Sequence, residues 1–352
     1  MKRLSWSWRN SIFRMIDVRE IAADLRLPNF ILRYLASLIH QREINAALRE
    51  FGQLRGADFV RAALNYFDVK LRVHGVEHLA GLERPVLISN HPLGGLDGLA
   101  LICLLFTYFS EVRLMVNDLL MNIHQMEELF LPVSKEMDGG MSNYRHGERY
   151  RELFSGNAAI LHFPAGKCSR RIGGRVHDLP WNKSYVRLCR ENSRPIVPCL
   201  FFGENSRRFY TIANLRRWFR IPFNVEMLFL VDEMFRKRGQ TLEMRIGTPV
   251  PAAELCASDD AGNTIRNSAS INADINAEIR RRVYALKQAL KPAADNPVML
   301  PMGRRVPAKH ILKPAADNPL NLPAPVSTSA RQHQRSSAPA PASTSARQRR
   351  PL

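Results

Sequence analysis

His91 and Asp97 lie together in the run Asn90-His91-Pro92-Leu93-Gly94-Gly95-Leu96-Asp97. An imidazole accepts a proton near neutral pH, and a carboxylate beside it fixes its tautomer and stabilises the imidazolium that forms. That pairing activates a hydroxyl or an amine for attack. Its setting favours the chemistry. Val86-Leu87-Ile88-Ser89 reads as a buried strand, and an apolar helix starts at Leu96. His91 thus stands between a strand end and a helix start. Pro92 cannot continue a ladder, and Gly94 and Gly95 permit a tight turn with close backbone approach. Asp97 falls in the first helical turn, where a carboxylate is electrostatically favoured. Folding the turn back brings it onto the imidazole. His40, His74, His78, His124, His146 and His162 lack such a context and read as structural or solvent-exposed.

A second loop repeats the pattern. Ala158–Phe163 reads as a strand, followed by Pro164-Ala165-Gly166-Lys167-Cys168-Ser169-Arg170-Arg171. This strand end also carries Pro and Gly, and it is loaded with cations that can hold a phosphate or a carboxylate. Recurrence in the same architectural position favours binding over a merely solvated basic turn. Cys168 has no supporting His motif and reads as a bystander rather than a nucleophile. The five cysteines are scattered, without CxxC or paired Cys/His spacing, so no metal site is expected. A sparse, odd count fits a reducing cytoplasm.

Larger elements must place these loops. Strands are expected at Pro85–Ser89, Val112–Val116, Ala158–Phe163, Ile196–Phe202, Val225–Val231 and Leu242–Ile246, with helices at Leu96–Phe109, Tyr144–Phe154 and Asn182–Glu191 between them. Two or three helices are expected over residues 20–67. A last helix spans Ser270–Leu290, with Ser270 as its cap and Arg280, Arg281 and Arg282 on a solvated face. This alternation predicts an α/β fold, a mixed and largely parallel central sheet flanked by helices, with chemistry beyond the carboxyl ends of the strands.

Three regions follow: a basic aromatic extension at 1–15, a folded domain at 16–290 and a tail at 291–352. The extension mixes Lys2, Arg3, Arg9 and Arg14 with Trp6, Trp8, Ile12 and Phe13. It lacks the apolar core of a secretory signal and suits either a headgroup layer or a frayed end. In the tail, Lys291–Pro297 recurs at Lys313–Pro319 and Ser327–Gln332 at Ser343–Gln348. Such short Pro/Ala/Arg-rich repeats cannot bury a core, so disorder is expected. The chain carries a net charge of +19; the tail accounts for +8 and the remaining 290 residues for +11. That balance favours an acidic partner: nucleic acid, an anionic membrane or an acidic protein. No helix-turn-helix, RRM or zinc-finger pattern supports specific nucleic-acid binding. The longest apolar stretch, Leu99–Phe109, is too short to span a bilayer.

Taken together, the His91/Asp97 loop, the Phe163-Pro164-Ala165-Gly166 loop some seventy residues later, and Ile196-Val197-Pro198 resemble the glycerolipid (lysophospholipid, PlsC-like) acyltransferase family. The branch most similar is the bacterial hemolysin-like acyltransferases of ornithine and glycine aminolipids, through Asn90–Gly98, Val116–Leu120, Phe163–Gly166, Gly203–Ser206 and Val231–Phe235. The likeness covers roughly residues 16–250. It implies an acyltransferase with His91 as catalytic base and Asp97 as its orienting carboxylate. It also implies substrate contacts from Asn90, Gly94, Gly95, Phe163, Pro164, Gly166, Lys167, Ser169, Arg170 and Asn205, with backbone N–H groups of the Gly94-Gly95 turn or the Gly166 loop for the oxyanion. The donor would be acyl-ACP or acyl-CoA, with no cofactor and no metal. The protein would work as a peripheral enzyme on the anionic cytoplasmic face of a bacterial inner membrane.

Two departures redirect the acceptor. Five residues, not four, separate His91 from Asp97, and Ala165 and Lys167-Cys168 replace the Glu and Thr-Arg that help the family hold glycerol 3-phosphate. A lyso-aminolipid is therefore the first expectation and a 1-acylglycerol-3-phosphate or other lysophospholipid the second. A non-catalytic lipid-binding protein at the membrane surface is the alternative of another class.

Overall fold

The computed structural model describes residues 16–21, 27–117, 123–133, 150–220, 226–257, 268–288 and 297–300. The expected extension at 1–15, and most of the expected tail and of the Tyr144–Phe154 helix, lie outside these. Residues 150–155 are helical.

The most apolar runs of the sequence become the middle of the sheet. β2 (Val86–Ser89), β5 (Ala159–His162) and β8 (Ile196–Phe201) are buried at every residue. Unbroken apolar runs of this kind belong to parallel strands covered on both faces. Alternate side chains part to opposite faces. Leu87, Leu161, Val197, Cys199 and Phe201 enter one core; Val86, Ile88, Ile160, Ile196 and Leu200 enter the other.

With β1 (Lys70–His74), β3 (Val112–Asn117), β4 (Phe130–Val133), β9 (Thr241–Ile246) and β10 (Val298–Leu300), the sheet has eight strands in the order β10-β1-β9-β8-β2-β5-β3-β4. The run β8-β2-β5-β3-β4 is parallel throughout. β9 pairs antiparallel with β8, and β1 parallel with β9. The sheet is therefore mixed and parallel where the site lies. A two-stranded ribbon of β6 (Arg170–Ile172) and β7 (Arg175–His177) stands apart.

The helices are α1 (Val18–Ile21), α2 (Asn29–Leu38), α3 (Gln41–Phe51), α4 (Gly56–Tyr66), α5 (Leu96–Tyr108), α6 (Ser184–Glu191), α7 (Arg207–Trp218), α8 (Glu226–Arg236), α9 (Ala252–Ala257) and α10 (Ser268–Ala285). α4 and α5 cover one face of the sheet, and α6 and α10 the other. α2, α7 and α8 close a third, smaller core around Cys168.

Two expectations fail. The strand expected at Val225–Val231 is helical from Glu226, within α8. Its buried residues, Glu226, Phe229, Leu230 and Glu233, recur at helical spacing, and Met and Leu outnumber β-branched residues there. The tail, expected to be disordered throughout, contributes β10, antiparallel to β1. An edge strand satisfies backbone groups with little side-chain burial, so composition misses it. The last helix begins at Ser268, two residues before the expected cap.

One buried cation ties the sheet's amino end together. Arg194 is fully buried and donates to five carbonyls, those of Arg84, Leu153, Phe154, Gly156 and Ala158, at 2.6–3.1 Å. These bonds join the strand entries of β2, β5 and β8. Arg194→Leu strands the five acceptors and is expected to cost roughly 3–5 kcal/mol, read as a lower urea midpoint.

Candidate active site

The three central strands deliver three loops to one place. β2 lies between β8 and β5, so the loops leaving their carboxyl ends, 90–95, 163–169 and 202–206, are neighbours. Asn90 fastens the first. Its Oδ1 accepts the Phe201 N–H at 2.7 Å and its Nδ2 donates to the Phe201 carbonyl at 2.9 Å. The side-chain amide replaces the ladder that Pro92 forbids. Asn90 is therefore committed to the scaffold and not, as expected, to substrate.

The chain then turns back. Gly94 adopts a left-handed φ of 84°. A Cβ there would lie 2.9 Å from Leu230 of α8, and one at Gly95 2.7 Å from the sulfur of Met234. The glycines let α8 lie close against the turn, and at Gly94 the left-handed backbone also disfavours any other residue. Asp97 arrives inside it, fully buried. Its Oδ2 accepts His91 Nδ1 at 3.1 Å, Leu93 N–H at 2.9 Å and Gly94 N–H at 3.2 Å; its Oδ1 accepts Gly98 N–H at 2.9 Å. The five-residue interval between His91 and Asp97 accommodates this closed turn.

The imidazole is held on two further sides. Phe163 stacks on it, with ring centroids 4.1 Å apart. The His91 backbone N–H donates to Asp178 Oδ1 at 3.3 Å, and its carbonyl accepts Ser169 N–H at 2.8 Å. The side chain keeps 14% exposure, and Nε2 makes no hydrogen bond among the described residues. Nδ1 is thus fixed while Nε2 faces outward. Burial disfavours the imidazolium, but the charge and hydrogen bond of Asp97 and the charge of Asp178 outweigh it, against an opposing pull from Arg170. His91 consequently titrates above its ordinary range. Burial likewise pushes Asp97 up, but His91 and the Leu93 and Gly94 N–H groups prevail and hold it down.

Several expected substrate contacts prove to be supports. Arg170 is buried; it donates to the Cys168 carbonyl at 2.7 Å and pairs with fully buried Glu226 at 3.0 Å, which also pairs with Arg216 at 2.8 Å. A guanidinium locked between loop and helix cannot reach a head group, because the desolvation it has suffered is offset only by that pairing. Ser169 gives its hydroxyl to Asp178 at 2.5 Å. The N–H groups of Gly94 and Gly166 are spent on Asp97 and on the Phe163 carbonyl, so neither is free for an oxyanion. Pro164 is buried, its carbonyl accepting Asn182 N–H at 3.0 Å. Asn205 donates to the Pro92 carbonyl at 3.2 Å, and its buried Oδ1 has no partner among the described residues. Lys167 is half-buried in the turn, and Arg171 is partly exposed. Cys168 lies buried, its sulfur 2.8 Å from Arg170 Nη1; burial raises its thiol pKa, which suits a packed side chain rather than a nucleophile.

Asp178 was not anticipated. It is buried and accepts from His91 N–H, from the Ser169 hydroxyl and from Trp181 Nε1 at 3.0 Å. It fixes where the imidazole stands, much as Asp97 fixes how it is turned. The Asp-Leu-Pro-Trp run at 178–181 carries the polar and aromatic residues that form this anchor, but nothing in its spacing points to His91.

Asp97→Asn removes the charge that outweighs burial. His91 in that variant is expected to titrate at lower pH than in the wild type, followed through its ring protons by NMR.

Residues 15–292 match the family described as Acyltransferase. The chain is 39% identical over 249 residues to a lyso-glycine lipid O-acyltransferase of Phocaeicola vulgatus, covering 69% of this chain and 88% of that one. It is 38% identical over 226 residues to a lyso-glycine lipid O-acyltransferase of Bacteroides thetaiotaomicron, covering 64% and 82%. The crystal structure of the 1-acyl-sn-glycerophosphate acyltransferase PlsC from Thermotoga maritima aligns with a TM-score of 0.39 at 13% identity, over 78% of this chain and 95% of that one. A family match over most of the chain, around an accessible imidazole braced by a buried carboxylate, makes this protein a member of the acyltransferase family and an acyltransferase.

Proposed function

We propose that the protein moves a fatty acyl chain from a thioester, acyl-ACP or acyl-CoA, to the hydroxyl of a lyso-aminolipid of the glycine- or ornithine-lipid type. The carrying observation is the His91/Asp97 arrangement, Nε2 outward and Nδ1 fixed, in a chain 39% identical to a protein that acylates lyso-glycine lipid. Ala165 and Lys167-Cys168, in place of the Glu and Thr-Arg that help the general family hold glycerol 3-phosphate, argue against that acceptor.

In the proposed step, His91 Nε2 takes the proton of the acceptor hydroxyl as its oxygen attacks the thioester carbonyl. Asp97 keeps the Nδ1–H tautomer and stabilises the imidazolium. The tetrahedral intermediate collapses, the C–S bond breaks, and the departing thiolate receives the proton from Nε2. Asp178 acts as a positioning residue. Within the glycine turn, the Gly95 N–H is the donor left for the oxyanion, a contribution of roughly 3–4 kcal/mol in comparable sites. Lys167 supplies charge for the acceptor carboxylate. No group beyond the chain and its two substrates is required. The net charge of +11 over the first 290 residues suits an acidic carrier protein or a phosphorylated coenzyme. Among the described residues no helix is long and apolar enough to cross a membrane, and we place the enzyme peripherally on the cytoplasmic membrane surface, where its acceptor resides.

His91→Ala is expected to remove transfer to lyso-glycine lipid while leaving the circular-dichroism spectrum and thermal midpoint near those of the wild type. Turnover retained by this variant would overturn the base assignment. Lys167→Ala is expected to raise the KM for the lyso-aminolipid about tenfold with little change in kcat, the scale of one charged hydrogen bond. Faster transfer to lysophosphatidic acid than to lyso-glycine lipid would discard the acceptor class. For the wild type, kcat/KM should rise with pH through a midpoint above the ordinary imidazole value, since only the neutral ring accepts a proton. Asp97→Asn should lower that midpoint and cost roughly 10³–10⁴-fold in kcat.

A further inference from the structure

Among the described residues, most of the exposed large apolar side chains lie on α2 and at the end of α7. Phe30 and Tyr34 of α2 are 71% and 55% exposed; Leu215 and Trp218 of α7, and Phe219 just after it, are 44%, 76% and 63% exposed. The Trp218 and Phe219 rings lie 4.9 Å apart. The inner faces of the same helices are fully engaged: Leu38, Phe209 and Tyr210 pack with Phe229 and Leu230 of α8 around Cys168.

Contacts to α8 and between the two helices place α2 and α7 side by side. His40, just past α2, stacks on Phe235 and bonds Asp232 near the end of α8, so α2 runs along α8 in the same sense. Arg208, at the start of α7, reaches Asp232 and the Tyr34 hydroxyl, so α7 runs the opposite way. Arg216, near the end of α7, pairs with Glu226, so Trp218 lies toward the Glu226 end of α8, while Tyr34 lies beside the start of α7.

The charge of this face is one-signed. Residues 207–220 contain five arginines and no Asp or Glu, and α2 adds Arg33 without an acid. Arg33, Arg207, Arg217 and Arg220 are exposed and enter no ion pair among the described residues. Exposed Trp and Phe rimmed by arginine is the composition of a surface that sits in a lipid headgroup layer, rings in the acyl boundary and cations on phosphate.

We propose that the α2/α7 face is where the enzyme docks on an anionic bilayer. The inference rests on the acceptor being a lipid and deepens that reading. Both helices pack on α8, and α8 in turn presses on the catalytic turn, through Leu230 against Gly94 and Met234 against Gly95. Docking there sets the His91 loop beside the layer that holds the lyso-lipid.

The test uses the full chain, vesicles of phosphatidylcholine with or without phosphatidylglycerol, and three variants. These are Trp218→Ser with Phe219→Ser, Arg217→Gln with Arg220→Gln, and deletion of residues 1–15. Wild type is expected to sediment with the anionic vesicles and weakly with neutral ones. The aromatic pair variant should lose at least tenfold in partitioning, and the arginine pair variant should lose the preference for anionic lipid. Both should keep wild-type transfer to acceptor dispersed in detergent micelles while losing it on vesicle-borne acceptor, which separates a docking failure from a failure of the catalytic reading. Vesicle binding unchanged in both pair variants would overturn the proposal. So would binding abolished by the 1–15 deletion alone, or a face occupied by a second copy, seen as a dimer that the aromatic variant converts to monomer with vesicle binding intact.

Discussion

The buried carboxylate of Asp97 accepts four hydrogen bonds, from His91 Nδ1 and from the backbone of Leu93, Gly94 and Gly98. An ionised carboxylate out of water is tolerated only when its oxygens are satisfied in this way. The need works in both directions. The turn must close so that its N–H groups converge, and closing it aims the imidazole. Gly94 in a left-handed conformation, Pro92 ending the strand and α5 starting at Leu96 are the conditions under which the four donors meet. The site's geometry is thus one consequence of desolvating a single charge.

Around that turn the molecule uses buried polar groups as fasteners. Asn90 joins the loop to β8, Asp178 joins it to the 163–178 loop, and the Arg170–Glu226–Arg216 cluster joins that loop to α7 and α8. Ser206 caps α7 and also bonds Glu233 of α8. Each is costly to bury and is held because its partners are complete. A base that must stand within a few tenths of an ångström of its substrate's proton benefits from supports of this stiffness.

The chemistry was more legible in the sequence than its supports. The strand-end position of His91 and the short path to Asp97 follow from local rules, since a buried apolar run, a Pro-Gly turn and a helix start restrict where the two side chains can go. The internal bonds of Asn90, Ser169 and Arg170 are not legible there, because a polar residue beside a catalytic one has the same local pattern whether it faces the substrate or the interior. Asp178 escaped notice for a similar reason. Its bond to the His91 backbone spans 87 residues and depends on β2 and β5 lying side by side.

The sequence by itself determined the α/β class, the parallel centre of the sheet and the two loops at its carboxyl end, because these rest on periodicity and on what proline and glycine forbid or allow. Tertiary structure decided which strands are neighbours, that residues 226–231 are helical, that part of the tail adds an edge strand, and which cation is buried and which exposed. Those outcomes depend on what each segment finds to pack against. Arg170 and Lys167 stand three residues apart in one basic loop; only the fold buries the first against Glu226 and leaves the second partly exposed.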